Sequence, residues 1–273
     1  MSPLQKSEVM NYVEKDTLYN HPCFREAARG FVRMHLPVAP ACNISCKYCV
    51  RKYDCANENR PGVTSRVLSP DQAVEQYLQK KKQLGSRLSV VGISGPGDPL
   101  ANWDAVGQTL QRIRDLDPDI LLCLSTNGLC LEEYAGELAR MRVNAISVTI
   151  NADSVDTAAK IYNAPSHAWY STFPEKQWAG ISAAVNRGII CKINTVLIRG
   201  VNERDAVWIA QKAREHHCQI QNLIPLLPLP GTGFDERHVI TPEQLCAVRK
   251  ETALHMNQMS HCLRCRADAC GSL

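Results

Sequence analysis

Short runs of β-branched and aliphatic residues alternate along the chain with longer stretches in which apolar residues recur at helical spacing. Alternating strand-like and helix-like segments are typical of a parallel sheet covered by helices. The strand-like runs lie at 33–39, 88–93, 119–125, 145–150, 189–198 and 220–227, and helix-like stretches at 103–116, 131–141, 175–187 and 203–216. Six such units without a seventh and eighth predict an α/β fold, a partial (β/α)6 barrel of the TIM type whose functional residues lie at the strand ends.

Two further helices are marked by their first residues. Ser69-Pro70 and Thr241-Pro242 each combine an N-capping side chain with a proline suited to the first turn. The last ~15 residues are predicted to form an irregular tail, because no strand or helix pattern extends into them. Without a recognisable linker, the chain is interpreted as one domain over 1–273, with a core at about 33–230 and extensions 1–32 and 231–273 that cap the barrel opening.

Composition narrows the class of protein. The chain is 45% hydrophobic and 21% charged, and its net charge of +4 is spread along the sequence, which is too weak a signal for a nucleic-acid partner. No apolar run approaches the ~20 residues that span a bilayer, and the first residues lack the apolar stretch of a secretory signal. We therefore expect a cytoplasmic protein with no membrane partner. The oligomeric state stays open.

The chain has 13 cysteines, and they are clustered. In a reducing compartment, metal or cluster ligation explains such clusters better than disulfides do. Cys42, Cys46, Cys49 and Cys55 fall close together, and Cys262 and Cys265 lie near the end. Five isolated cysteines are predicted to be small buried hydrophobic residues: Cys130, Cys191, Cys218, Cys246 and Cys270.

The spacing of Cys42, Cys46 and Cys49 is C-x-x-x-C-x-x-C, in a loop that follows the first predicted strand. Three thiolates so close in sequence can hold three corners of a four-iron cluster and leave the fourth iron open to a substrate. A zinc site is the alternative, but structural zinc prefers four protein ligands, usually in paired C-x-x-C arrangements. The spacing therefore favours an iron-sulfur cluster.

This motif, with the aromatic Tyr48 before its last cysteine, closely resembles that of the radical S-adenosylmethionine superfamily. The resemblance implies that the methionine part of S-adenosylmethionine chelates the open iron, and that an electron from the cluster splits it to give a 5′-deoxyadenosyl radical. The segment Ser-Gly-Pro-Gly-Asp-Pro at 94–99 stands where the superfamily carries a G-G-E-P-like segment. Alone it is an ordinary turn. After the cysteine motif, its small residues and carboxylate suit the methionine ammonium.

Further residues take roles in cofactor binding by their position in that superfamily. The cofactor-binding set implied is Tyr48 beside adenine, Gly95, Gly97 and Asp98 near methionine, Ser125, Thr126 and Asn127 near methionine or ribose, Thr149 and Asn151 near ribose, and the strand from Asn194 to Ile198 against adenine. Polar residues at strand ends are common in any barrel, so these assignments depend on the resemblance.

The flanking segments resemble a narrower family, the NifB nitrogenase cofactor maturases. The segments that carry this resemblance lie at 21–24, 35–40, 49–65, 95–102, 223–234 and 262–269, so it covers nearly the whole chain. It implies that two further four-iron clusters are substrates, fused into an eight-iron, nine-sulfur core around a carbide. One S-adenosylmethionine gives its methyl group to a cluster sulfide, leaving S-adenosylhomocysteine, and another supplies the radical that abstracts hydrogen from that methyl.

The resemblance also implies ligands for the two precursor clusters: His35, Cys55 and Cys123 for one, and Cys23, Cys262 and Cys265 for the other. Cys42, Cys46 and Cys49 would be catalytic, and Glu58 would handle protons or contact S-adenosylmethionine. Read without the resemblance, Cys123 and His35 are core residues. Cys262 and Cys265 are then a zinc half-site or redox pair, and Glu58 is a solvated carboxylate.

Implied partners are cluster donors, a reductant, and the carrier and scaffold proteins of nitrogenase assembly. The sequence ends just after the C-terminal cysteine pair, and we expect no carrier-like domain. Two alternatives remain. One is another radical enzyme with auxiliary clusters that acts on a peptide or small molecule, and the other is a non-catalytic zinc or iron-sulfur binding module.

Overall fold

The computed structural model describes residues 20–24, 30–57, 66–262 and 270–271. Six parallel strands form one sheet in chain order, with the first and sixth strands not paired to each other. They are β1 (Val32–Pro37), β2 (Leu88–Ser94), β3 (Leu121–Thr126), β4 (Ala145–Thr149), β5 (Ile190–Leu197) and β6 (Ile220–Pro225). This open, partial barrel confirms the predicted α/β fold class.

Seven α-helices connect and cover the strands in the part of the chain described. They are α1 (Pro70–Leu84), α2 (Trp103–Leu116), α3 (Leu131–Arg140), α4 (Val155–Ile161), α5 (Trp169–Val185), α6 (Glu203–Glu215) and α7 (Pro242–Thr252). Ser69 and Thr241 cap α1 and α7 with capping boxes, as the sequence predicts. None of these helices has the length and apolarity needed to cross a bilayer.

Two helices differ from the prediction. The short helix α4 was not predicted, because seven residues carry too little periodicity to stand out. Helix α5 begins at Trp169 rather than at 175, with Pro174 inside it. The ring of Trp169 stacks on Phe173 at 4.3 Å between centroids. This packing supports a helical turn that the proline alone would have argued against.

C-terminal segments cover both edges of the sheet. A two-residue strand, β7 (Cys270–Gly271), pairs antiparallel with β1. At the other edge, the Gln221 N–H donates to the Asn257 carbonyl at 2.9 Å, and the Met259 N–H donates to the Gln221 carbonyl at 2.7 Å. The prediction of an irregular tail is therefore wrong at 270–271, where an open sheet edge offers backbone partners.

The two faces of the sheet have different chemistry. One face packs under the helices and holds aliphatic residues such as Met34, Leu122 and Ile146. Because side chains alternate along a strand, their neighbours point to the other side, which is the inner face of the barrel. That inner face carries Arg33, His35, Gly92, Cys123, Lys192 and Asn194, which is unusual polarity for a barrel interior.

The isolated cysteines divide into three groups. Cys191 and Cys218 are buried, as predicted. Cys130 and Cys270 are half-buried. Cys246 is exposed on α7, so its prediction as a buried residue is wrong. Helix α7 covers β6 with few residues, and its cysteine lies on the solvent side.

Candidate functional site

A partly enclosed cavity lies at the carboxyl ends of the first strands. Its walls bring together four cysteines and most of the predicted cofactor residues. The lining includes Cys42, Cys46, Cys49, Cys55, Tyr48, Arg51, Asn57, residues 94–98, Ser125, Thr126, Asn127 and Thr149. Residues from three separate strand ends therefore meet the cysteine motif at one place.

The loop that carries the motif is clamped through its backbone. The Lys47 N–H donates to the Ile161 carbonyl at 2.8 Å, and the Asn163 N–H donates to the Ser45 carbonyl at 2.8 Å. On the other side, the Gly233 N–H donates to the Lys47 carbonyl at 2.9 Å. The unpredicted helix α4 thus fixes the motif loop from its C-terminal end, together with part of the C-terminal extension.

The motif thiols lie in a poorly solvated environment. Burial raises the pKa of Cys46, and the neighbouring Cys49 raises it further. Burial also raises the pKa of Cys49, against the lowering effect of Arg51. Such thiols ionise readily only when a cation compensates the negative charge. The donor set therefore fits iron ions, because each thiol loses its proton when it binds iron as a thiolate.

The thiols are spread around the cavity wall rather than gathered at one point. Within the described ranges, no three Cys, His, Asp or Glu side chains already converge as a single metal ion requires. A four-iron cluster distributes its cysteine ligands over separate irons. The three motif thiols in the wall suit that larger unit.

Two glycines allow the loop at 94–98 to pack against the start of the motif loop. The Gly97 N–H donates to the Ala39 carbonyl at 2.9 Å, and the Asp98 N–H donates to the Ala41 carbonyl at 2.8 Å. A Cβ on Gly97 would lie 1.9 Å from the Ala41 oxygen, and one on Gly95 would lie 2.5 Å from the Ala39 oxygen. Close backbone contact between the two loops explains these glycines in this structure.

Replacing Gly97 by alanine is expected to push the two loops apart. Because the clash is with backbone, we expect the free energy of unfolding to fall by about 3 kcal/mol, at the upper end for overpacking. Gly107→Ala is the matched control. Its Cβ would meet Trp103 no closer than 3.4 Å within helix α2, and removing a helical glycine should add about 1 kcal/mol. Chemical denaturation measures both, and equal stability of the two variants would contradict the packing argument.

The Asp98 carboxylate ties the end of β2 to the end of β3. It accepts hydrogen bonds from the Thr126 hydroxyl at 3.0 Å, the Asn127 N–H at 2.5 Å and the Leu100 N–H at 2.9 Å. Burial raises the pKa of Asp98, while these donors lower it. Its two oxygens are thus engaged within the protein while it lines the cavity.

Asn127 extends this network to the motif. Its side-chain amide donates to the Asn43 side-chain oxygen at 2.7 Å and lies 3.7 Å from Cys42 Sγ. Gln177 holds the same region from helix α5, since its amide donates to the carbonyls of Asn127 at 2.6 Å and Thr149 at 2.7 Å. Sequence reasoning missed Gln177. The available signal was a polar residue inside an otherwise apolar helix face.

Tyr48 is buried and held by two amide side chains. Its hydroxyl donates to the Asn57 side-chain oxygen and accepts from the Asn151 amide at 2.6 Å. The Asn151 oxygen accepts from the Val196 N–H at 2.8 Å. Asn151 therefore acts on the cavity through Tyr48 rather than by lining it.

Asn194 and Ile198 are also fully buried and lie outside the lining of the described cavity. Asn202, which sequence reasoning did not assign, joins the neighbouring strand ends. Its side chain accepts from the Ile198 N–H at 2.8 Å and donates to the carbonyls of Asn151 and Val196, each at 2.9 Å. The cavity does not bring Asn151, Asn194 or Ile198 together with the motif cysteines directly.

Two of the implied precursor ligands face each other inside the barrel. His35 and Cys123 each pair with Gly92, one from either side. A Cβ on Gly92 would lie 3.2 Å from the His35 ring and 3.1 Å from Cys123 Sγ. Cys55, the third residue of this set, lines the cavity of the motif, and its N–H donates to the Gly95 carbonyl at 3.2 Å.

Part of the second implied set also comes together. Cys23 and Cys262 belong to one apolar cluster with Ile220 and Met259. Arg33 donates from its guanidinium to Cys23 Sγ. Two predicted residues, Cys265 and Glu58, lie outside the described residues.

Comparison with known proteins agrees with this site. The sequence model of the Radical SAM superfamily matches residues 36–213. The chain is 40% identical to the FeMo cofactor biosynthesis protein NifB of Chlorobaculum tepidum, over 92% of the chain and 61% of that protein. It is 42% identical to NifB of Klebsiella pneumoniae, over 93% of the chain and 57% of that protein. The chain thus spans little more than half the length of these relatives.

Among solved structures, SuiB of Streptococcus suis has the same fold, with a TM-score of 0.60 and 13% identity over 94% of this chain and 60% of that chain. The match of the superfamily model covers well over half of the sequence and includes the cysteine motif, the residues that line the cavity and the complete strands β2 to β5. The chain belongs to the radical S-adenosylmethionine superfamily.

Proposed function

We propose that this chain carries out a step of nitrogenase cofactor biosynthesis, the fusion of two four-iron clusters into an eight-iron, nine-sulfur core around a methyl-derived carbide. One observation carries the proposal. The cavity of the cysteine motif adjoins a polar barrel interior in which His35 and Cys123 face each other across Gly92. The similarity to NifB proteins supports the same reaction.

Cys42, Cys46 and Cys49 hold the resident four-iron cluster in this proposal. When bound, that cluster supplies the electron that cleaves S-adenosylmethionine to the 5′-deoxyadenosyl radical. The chain positions S-adenosylmethionine against the walls formed by residues 94–98 and by Ser125, Thr126 and Thr149. The buried Tyr48 and its amide partners keep this wall rigid, which holds the reactants in place and excludes water.

The two further clusters are substrates. His35, Cys55 and Cys123 bind one, and Cys23, Cys262 and Cys265 bind the other. The contact of Gly92 with both His35 and Cys123 supports the first set, since any side chain at that position would fill the space between them. A neutral imidazole is an exchangeable ligand, which suits a cluster that must leave. Glu58 handles protons near S-adenosylmethionine.

The surroundings of the reaction follow from its chemistry. Substrate clusters must arrive from cluster donors, electrons from a reductant, and the product must pass to carrier and scaffold proteins of nitrogenase assembly. The protein acts in the reducing cytoplasm in this proposal, where the cysteines stay available for cluster ligation.

The proposal is tested by anaerobic reconstitution with ferrous iron and sulfide, followed by iron analysis and Mössbauer spectroscopy. Three four-iron clusters require roughly 12 iron ions per chain. On addition of S-adenosylmethionine and reductant, part of this iron should convert to an eight-iron species that can be extracted from the protein. Retention of only roughly four iron ions, with no such species, would instead support a radical enzyme that acts on an organic substrate.

A further inference from the structure

The ionisable side chains of the six parallel strands that carry Arg, Lys, His, Asp or Glu are all basic. Together β1 to β6 contain the basic residues Arg33, His35 and Lys192 and no aspartate or glutamate. Arg33 and His35 lie on β1, and His35 is itself one of the implied cluster ligands. Lys192 stands on the opposite side of the sheet, on β5.

Lys192 faces the barrel interior. Its neighbours along the strand, Cys191 and Ile193, pack in the core under the helices, so Lys192 points to the inner face. Its side chain is only 3% exposed. It pairs in register with Ser147 on β4 and Ile220 on β6, neither of which carries a charge.

Within the described ranges, the Lys192 ammonium makes no hydrogen bond and no ion pair. Two residues further along the same face, the Asn194 amide nitrogen is buried without a hydrogen-bond partner there, whereas the Lys192 ammonium nitrogen is not fully enclosed. An ammonium on a largely buried stem without an anion nearby is unfavourable, because it loses part of its hydration and gains no partner in return. Two N–H donors on one wall of the barrel therefore point to an anionic or sulfur-rich ligand.

The position suits a cluster bound between the walls. Cys123 is in register with Ala145 on β4 and, through it, with Ile190 on β5, and Lys192 lies two residues beyond Ile190 towards the cavity. The backbones of Cys123 and Lys192 are two strands apart, which is roughly 10 Å across the sheet. They are also offset by two residues, which is roughly 7 Å along the strands. A four-iron cluster ligated by Cys123 and the long stem of a lysine can together bridge that separation.

We propose that Lys192 binds the iron-sulfur cluster substrate held by His35, Cys55 and Cys123, by donating from its ammonium to a cluster sulfide. The inference rests on the proposed function. Hydrogen bonds to cluster sulfur stabilise the more negative, reduced state, so Lys192 also retains the substrate while electrons are delivered. Lys192 is a substrate-binding residue in this proposal, outside the motif that holds the resident cluster.

The test compares Lys192→Met, Lys192→Arg and a control, Lys160→Met on the exposed side of α4. Each protein is reconstituted anaerobically with ferrous iron and sulfide, desalted, and analysed for iron and by electron paramagnetic resonance. Lys192→Met should lose about four iron ions and the signal of the barrel cluster, with the signal of the motif cluster as internal reference. Lys192→Arg and Lys160→Met should match the wild type.

Thermal unfolding of the cluster-free proteins separates binding from structure. Without a cluster, Lys192→Met should melt at the same temperature as the wild type or higher, because it removes an unpaired charge from a largely buried position. Wild-type iron content in Lys192→Met, or a lower melting temperature or failed folding of its cluster-free form, would overturn the inference. A wild type that itself binds only the motif cluster would instead refute the proposed function, and the inference would fall with it.

Discussion

Replacing Cys46 by alanine is expected to abolish cleavage of S-adenosylmethionine, with 5′-deoxyadenosine formation reduced by more than about 100-fold. Cys46 is the most buried of the three motif cysteines, at 9% exposure, and it forms a backbone bridge with Tyr162 beside α4. Its loss leaves two ligands for a cluster that needs three, in a place where water cannot substitute well. The measurement is 5′-deoxyadenosine per chain in an anaerobic single-turnover assay.

Cys246→Ala is the matched control for this variant. Cys246 is exposed on α7 and does not line the cavity, so its replacement should leave cleavage and iron content at wild-type levels. Cleavage by Cys46→Ala within a few-fold of the wild type would show that the motif does not hold the catalytic cluster. Loss of cleavage in the Cys246 variant would point to a general effect of cysteine replacement.

Replacing Cys55 by alanine should separate methyl transfer, measured as S-adenosylhomocysteine, from radical cleavage, measured as 5′-deoxyadenosine. Cys55 lines the same cavity but stands outside the C-x-x-x-C-x-x-C spacing, and burial raises the pKa of its thiol well above the ordinary value. We expect the variant to lose about four iron ions and to form S-adenosylhomocysteine at least about 10-fold more slowly. Uncoupled formation of 5′-deoxyadenosine should persist, because the three motif cysteines are intact.

Liquid chromatography of both nucleosides from one reaction gives this comparison directly. A Cys55→Ala protein that forms neither product would mean that Cys55 supports the catalytic cluster rather than a substrate cluster. A protein that forms both at wild-type rates would remove Cys55 from the site altogether.

The strands were predictable because each is a short apolar run bounded by turn residues, and all six appear within a few residues of the expected places. The helices that mattered most for the site were harder. Helix α4 has only seven residues, and Pro174 hides the true start of α5. Both depend on tertiary contacts, since α4 holds the motif loop and the Trp169 ring stacks on Phe173.

The site was predictable where chemistry fixes spacing in the sequence, as in the motif of Cys42, Cys46 and Cys49. The site was less predictable where a side chain contacts another side chain or the backbone instead of lining the cavity. Asn151 reaches the cavity only through Tyr48, while Gln177 and Asn202 bind backbone groups at strand ends that no local pattern reveals. These contacts exist only once the strands lie side by side.

The glycines show the same limit in another form. The small residues at 94–98 suggest access for a ligand, and the structure adds a packing requirement, because Gly97 touches the backbone of Ala41. A turn sequence does not say which other loop it contacts. Lys192 is similar, since it is the one charged residue of its strand and only the folded barrel shows what surrounds it.

The most direct test of the proposed chemistry is an anaerobic assay of the reconstituted wild-type protein with reductant and S-adenosylmethionine, in which S-adenosylhomocysteine and 5′-deoxyadenosine are quantified together without any organic substrate. Methyl transfer to a cluster followed by radical chemistry on that methyl predicts that both products form. Formation of 5′-deoxyadenosine without S-adenosylhomocysteine would contradict cluster methylation and indicate a radical enzyme with a different substrate.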